Sequence, residues 1–127
     1  MTWDRTKVAG ALVTMLGPAT GVKVHERPPE TLNPLCVVVG RPQPVAYAVA
    51  ALGIDDATLP VIIVGGIETE DAVETLKEQC RAAVMADYTL GGQVQSAFPA
   101  EERNWRNITG AGGVQLLTVE LILQIQM

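Results

Sequence analysis

Two periods of apolar and polar residues alternate along this chain, and the switches between them divide it into elements. From Trp3 to Leu16 the residues Val8, Leu12, Met15 and Leu16 share one face at helical spacing, which predicts an amphipathic helix. Thr2 is placed to cap it, and Gly17-Pro18 to end it. Val22 to Glu26 reads as a short strand, and the prolines from Pro28 to Pro34 as an extended, stiff connector. Leu35 to Val39 is an apolar strand closed by Gly40, with Pro42 and Pro44 marking a second stiff loop. Val45 to Asp56 fits either period: Val45, Tyr47 and Val49 alternate as in a strand, while the intervening alanines suit a helix.

Leu59 to Val64 has the pattern of a buried strand, ended by Gly65-Gly66. Thr69 to Met85 carries the strongest helical pattern. Val73, Leu76, Cys80, Ala83 and Val84 form its apolar stripe, with Glu70, Asp71, Glu74, Lys77, Glu78 and Arg81 directed to water. The acidic residues in its first turn suit the positive end of the helix dipole. A turn at Leu90-Gly91-Gly92 precedes a strand from Gln93 to Phe98, then a polar stretch and a flexible turn at Gly110 to Gly113. The last strand runs from Val114 to Gln126, with Leu117, Val119, Leu121, Leu123 and Ile125 on one face and Thr118, Glu120, Gln124 and Gln126 on the other. This order predicts one α+β domain over residues 1–127, a mixed, mostly antiparallel sheet of four to six strands packed against two helices. Val37, Val61, Ile63, Leu76, Cys80, Val84, Val119 and Leu121 are expected among its most buried side chains.

Composition sharpens this picture. Of the 127 residues, 48% are hydrophobic but only 4% aromatic, so the core must be built from Val, Leu, Ile and Ala. Nine basic residues face fourteen acidic ones, a net charge of −5 that argues against gripping nucleic-acid phosphates and suits a surface DNA slides past. Cys36 and Cys80 lack Cys or His neighbours at zinc spacing and read as reduced core thiols. The first residues lack the layout of a signal peptide, and no apolar run approaches the roughly 20 residues that span a bilayer. These features predict a protein made in a cytoplasm-like compartment with no membrane partner.

No constellation for catalysis emerges. Leu59 to Ile67 resembles a phosphate-gripping strand and turn, but Glu68, Glu70 and Asp71 at the helix entrance would repel a phosphate. His25, the lone histidine, has no nearby nucleophile or second ligand, and Ser96, the lone serine, lacks a Gly-x-Ser-x-Gly setting. The expectation is a protein with no catalytic residues, no cofactor and no metal.

Four segments in order carry a family resemblance. They are Val22-Lys23-Val24-His25-Glu26-Arg27-Pro28-Pro29, Pro34-Leu35-Cys36-Val37-Val38-Val39-Gly40, Ala86-Asp87-Tyr88-Thr89-Leu90-Gly91-Gly92-Gln93-Val94, and the glycine turn leading into Gln115-Leu116-Leu117-Thr118-Val119-Glu120-Leu121. Together they span nearly the whole chain, which resembles the tail terminator proteins of long-tailed (siphovirus-type) bacteriophages. The Thr-Leu-Gly-Gly turn is the most specific part. His25, Glu26 and Arg27 stand where that family often has an aromatic residue.

The resemblance implies a structural virion protein with no reaction and no cofactor. Six copies would form a ring at the head-proximal end of the tail, stop tube polymerisation, and join the tube protein to the head-side connector. DNA would pass through the lumen without specific binding. A head–tail joining or tail completion protein is an alternative of similar size. A small ligand-binding α/β domain using Gly65-Gly66 for phosphate is the alternative of a different class. Within the polar stretch, Glu101, Glu102, Arg103, Trp105 and Arg106 are the expected partner-binding residues, since Trp and Arg are enriched at interface hot spots.

Overall fold

Helix α1 (Arg5–Thr20) runs through both residues expected to stop it in the computed structural model, which describes residues 5–30, 35–40, 43–44, 56–66 and 70–126. Proline at position 18 forfeits one amide donor, but within the last turn that loss is a single bond to the Thr14 carbonyl. The turn is closed instead by the Thr20 hydroxyl, which donates to the Leu16 carbonyl at 2.6 Å, and by the Gly21 amide, which donates to the Gly17 carbonyl at 2.8 Å. Gly21, at φ 71°, supplies the left-handed residue that ends the helix. Val8, Leu12 and Leu16 are buried as expected, with Met15 half-buried beside them.

The other elements are β1 (Lys23–His25), β2 (Cys36–Val39), β3 (Gln43–Pro44), β4 (Asp56–Gly66), α2 (Glu70–Ala86), β5 (Ser96–Thr109), a 3₁₀ turn (Ala111–Gly113) and β6 (Gln115–Gln126). The strands form one mixed sheet in the order β1-β2-β4-β6-β5, with β3 also paired to β4; among the described residues only the β1–β2 pair is parallel. With the two helices packed on it, this is the α+β architecture the apolar pattern predicts. The expected segment Val45 to Asp56 lies outside the described residues apart from Asp56, and so do Thr2, Pro34 and Pro42.

The strand expected from Gln93 begins only at Ser96, and three further differences arise because pairing overrides local preference. Gly65 and Gly66 do not form a turn; they continue β4, opposite Leu117 and Leu116 of β6, because the long partner strand keeps offering backbone bonds. Pro44, expected in a loop, lies in the two-residue β3 opposite Ala57, a sheet margin where a missing donor costs little. The polar stretch after Phe98 is not a loop but the continuation of β5 to Thr109, laid along β6.

Alternation along β6 places Val119, Leu121, Leu123 and Ile125 against the helices, where they meet Val37, Val39, Leu59, Val61 and Ile63 from the neighbouring strands. Helix α1 covers β1 and β2, and α2 covers β4, β5 and β6. All eight side chains expected at the centre of the core are buried. The opposite sheet face holds a smaller cluster of Cys36, Val38, Val64 and Leu116. Among the described residues, no helix is long and apolar enough to cross a membrane.

Candidate interaction surface

Among the described residues, strand β5 is the outermost strand on its side of the sheet and pairs with β6 alone. Its register shifts twice, between Pro99 and Glu101 and between Arg103 and Arg106, and each shift inserts one extra residue against β6. An extra residue reverses the inward–outward alternation. The first shift therefore sets Glu102 opposite Leu121, on the face covered by α2, and sends Glu101 and Arg103 to the other face. Asn104 takes φ 59° within the second shift, a conformation Asn tolerates better than most residues. Eight consecutive residues, Ala100 to Asn107, are exposed.

Lys77 of α2 binds this strand from beneath. Its side chain was expected in water, yet the residue is only 4% exposed. Its ammonium donates to Glu74 at 2.8 Å and to Glu102 at 2.9 Å, stands 3.6 Å from Glu78, and lies 5.8 Å from the centre of the Trp105 ring. The Trp105 indole N–H in turn donates to the same Glu102 oxygen at 3.0 Å. Burial works to lower the Lys77 pKa, but the hydrogen bonds and charges of Glu74 and Glu102 outweigh it and the net shift is upward. The Lys77 hydrogen bond, aided by the indole, holds Glu102 below its ordinary range against the opposing effect of burial. Paired this way, a nearly buried cation ties helix to edge strand.

Two of the expected interface residues, Glu102 and Trp105, thus meet under one cation. Glu101 pairs with Arg103 at 3.3 Å, both exposed. On the face away from the helices, Glu120 accepts from Asn104 at 2.6 Å and lies 3.8 Å from Arg106. Trp105 is neither a core residue nor free in solvent: it is 37% exposed, with one ring face toward Lys77. A cleft of about 230 Å³ between α2 and β5 is lined by Lys77, Glu78, Arg81, Glu101 and Glu102 among others.

The turn leading into β5 is built by one carboxylate. Asp87 accepts the Thr89 hydroxyl at 2.8 Å and the Gly91 amide at 3.0 Å, and these bonds hold its pKa below the ordinary range. Leu90 adopts φ 50° and is fully buried, so the turn is pinned from inside as well. The Tyr88 carbonyl then accepts the Ala97 amide at 2.7 Å, aligning the start of β5.

Residues considered for chemistry are not brought together. His25 on β1 and Ser96 on β5 lie on strands at opposite edges of the sheet. Both cysteines are buried without a disulfide, and burial pushes the Cys80 thiol up to about 12, far from a reactive thiolate at neutral pH. Among the described residues, no three His, Cys, Asp or Glu side chains converge as metal ligands would. No protein-family model matches this chain, and no curated protein matches it either.

Proposed function

We propose that this chain is a structural subunit of a closed ring, which ends the tail tube of a long-tailed bacteriophage and joins it to the head-side connector. The observation that carries this is the outer surface of β5. A strand clamped to its own helix by Lys77, yet left with eight consecutive exposed residues and a partly exposed tryptophan, is a rigid surface suited to a protein partner. Glu101, Glu102, Arg103, Trp105 and Arg106 are its contact residues. The protein performs no reaction and needs no cofactor in this role, and its acidic balance suits a lumen through which DNA slides. Gly65 and Gly66, being ladder residues, give no support to a phosphate-binding turn.

Electron microscopy of assembled tails carrying a label on this chain tests the proposal. The expected result is a single ring, of six copies by the resemblance, at the head-proximal end of the tube. Label along the whole tube, or none on tails, would overturn it.

A further inference from the structure

We infer that the middle of β5 is a segment able to slide by one residue between fixed ends, and that Lys77 and Glu120 are the stops that hold it, one on each face of the sheet. The inference concerns the strand itself and does not depend on what its surface binds.

Both ends of β5 are pinned. At its start Ala97 is buried opposite Ile125, and its amide donates to the Tyr88 carbonyl at 2.7 Å. At its end Ile108 packs against the cluster of Cys36, Val38, Val64 and Leu116, and the Gly110 amide donates to the Val114 carbonyl at 2.6 Å to close the turn. From the pair Pro99–Leu123 to the pair Arg106–Thr118 there are seven steps along β5 but five along β6, so two residues are left over between them. The ends do not decide where those two sit. An apolar face would fix the register, but Ala100 to Asn107 is exposed throughout and supplies none.

In the structure one extra residue lies on either side of Glu101–Arg103, with Glu102 opposite Leu121 and Arg103 opposite Glu120. A slide toward Trp105 would gather both extra residues after Arg103, setting Glu101 opposite Leu121 and Glu102 opposite Glu120. Lys77 permits this move, since it exchanges one carboxylate for another, and Glu101 already lines the cleft with Lys77 and Leu121. Glu120 forbids it, because like charges directly opposite each other repel.

A slide toward Pro99 would instead set Arg103 opposite Leu121, on the face where the Lys77 ammonium lies. Lys77 forbids that move, while Glu120 would meet only Asn104, which already donates to it at 2.6 Å. Each charge blocks the slide that the other allows. The observed register also keeps the Trp105 indole on Glu102 at 3.0 Å and Arg106 3.8 Å from Glu120. The two stops thus fix which face of the exposed strand shows each of these side chains.

Full-length Glu120→Lys tests this by NMR. The substitution puts like charge opposite Arg103 in the observed register and unlike charge opposite Glu102 in the slid one, so the slid population should rise roughly tenfold. The backbone contact that marks Glu101 opposite Leu121 should strengthen as that of Glu102 weakens. The Trp105 indole N–H resonance should move as its bond to Glu102 is lost. Glu120→Gln, a milder change, should shift both signals the same way by less. Adding Glu101→Gln to Glu120→Lys should suppress the shift, because the slid strand then offers Lys77 no carboxylate. Wild-type pairing of Glu102 with Leu121 in Glu120→Lys would overturn the inference, and so would a slide that Glu101→Gln does not reduce.

Discussion

Lys77 and Glu102, on different elements and 25 residues apart, meet at 2.9 Å where α2 passes beneath the edge strand. The carboxylate keeps access to water while the ammonium does not, at side-chain exposures of 44% and 5%. Removing either partner therefore has unequal consequences. Lys77→Ala releases two carboxylates that water can resolvate but deletes a buried stem, a loss of about 1–3 kcal/mol by analogy with other packed, paired side chains. Glu102→Gln leaves Glu74 to hold the ammonium and should cost less. Urea unfolding of both variants checks the order; a larger loss for Glu102→Gln would contradict it.

The same pair sets a pH window. Glu102 is held below its ordinary range, so its contribution is present above the unfolded carboxylate value and lost as pH falls through the folded one. Lys77 is raised, so its contribution is present below the unfolded lysine value and lost as pH rises through the folded one. Asp87, also lowered, adds to the acid limb. Thermal melts should show Lys77→Met flattening both limbs, while Asp87→Asn flattens only the acid one.

Gly40 should tolerate no side chain. Its amide donates to the Pro60 carbonyl at 2.7 Å, and an added Cβ would lie 2.6 Å from Pro60 Cγ and 2.9 Å from that carbonyl oxygen. Proline cannot return the second bond of the pair, so β2 ends there in close contact rather than in a continued ladder. Gly40→Ala should destabilise by about 1–3 kcal/mol, as overpacking does elsewhere, and lower the melting temperature by several degrees. An unchanged melting temperature would contradict this packing.

Trp105→Ala separates assembly from stability. Its ring is partly exposed and its contacts are a cation and a hydrogen bond, so the monomer should lose only about 1 kcal/mol. Ring formation should weaken by roughly 2 kcal/mol or more if the ring is a contact hot spot. Loss of about 3–5 kcal/mol from the monomer would instead mark a core role, and normal assembly would remove Trp105 from the interface.

The thiols offer a probe of the core. Cys80 is fully buried with its pKa pushed up to about 12, and Cys36 is 1% exposed. Neither should react with a thiol reagent at neutral pH until the protein unfolds, so labelling rates should track global unfolding. Rapid labelling of either would show that the surrounding layer opens locally.

Periodicity alone determined the elements whose burial is one-sided. The stripe of α2 and the alternation of β6 are each fixed by a single apolar face, so the residues that bury could be named from spacing: Val73, Leu76, Cys80 and Val84, then Val119, Leu121, Leu123 and Ile125. Composition likewise determined an aliphatic core and an acidic surface. Tertiary structure decided the rest. β5 was illegible beyond Phe98 because an edge strand exposed on both faces carries no apolar alternation, and its two register shifts reverse the phase of what remains. Gly65 and Gly66 look like a turn until β6 pairs with them. Lys77 reads as a solvent-facing charge at the border of an apolar stripe; its burial is offset by Glu74 on its own helix together with Glu102, which arrives from a strand far along the chain, because a cation leaves water only where opposite charge is already in place.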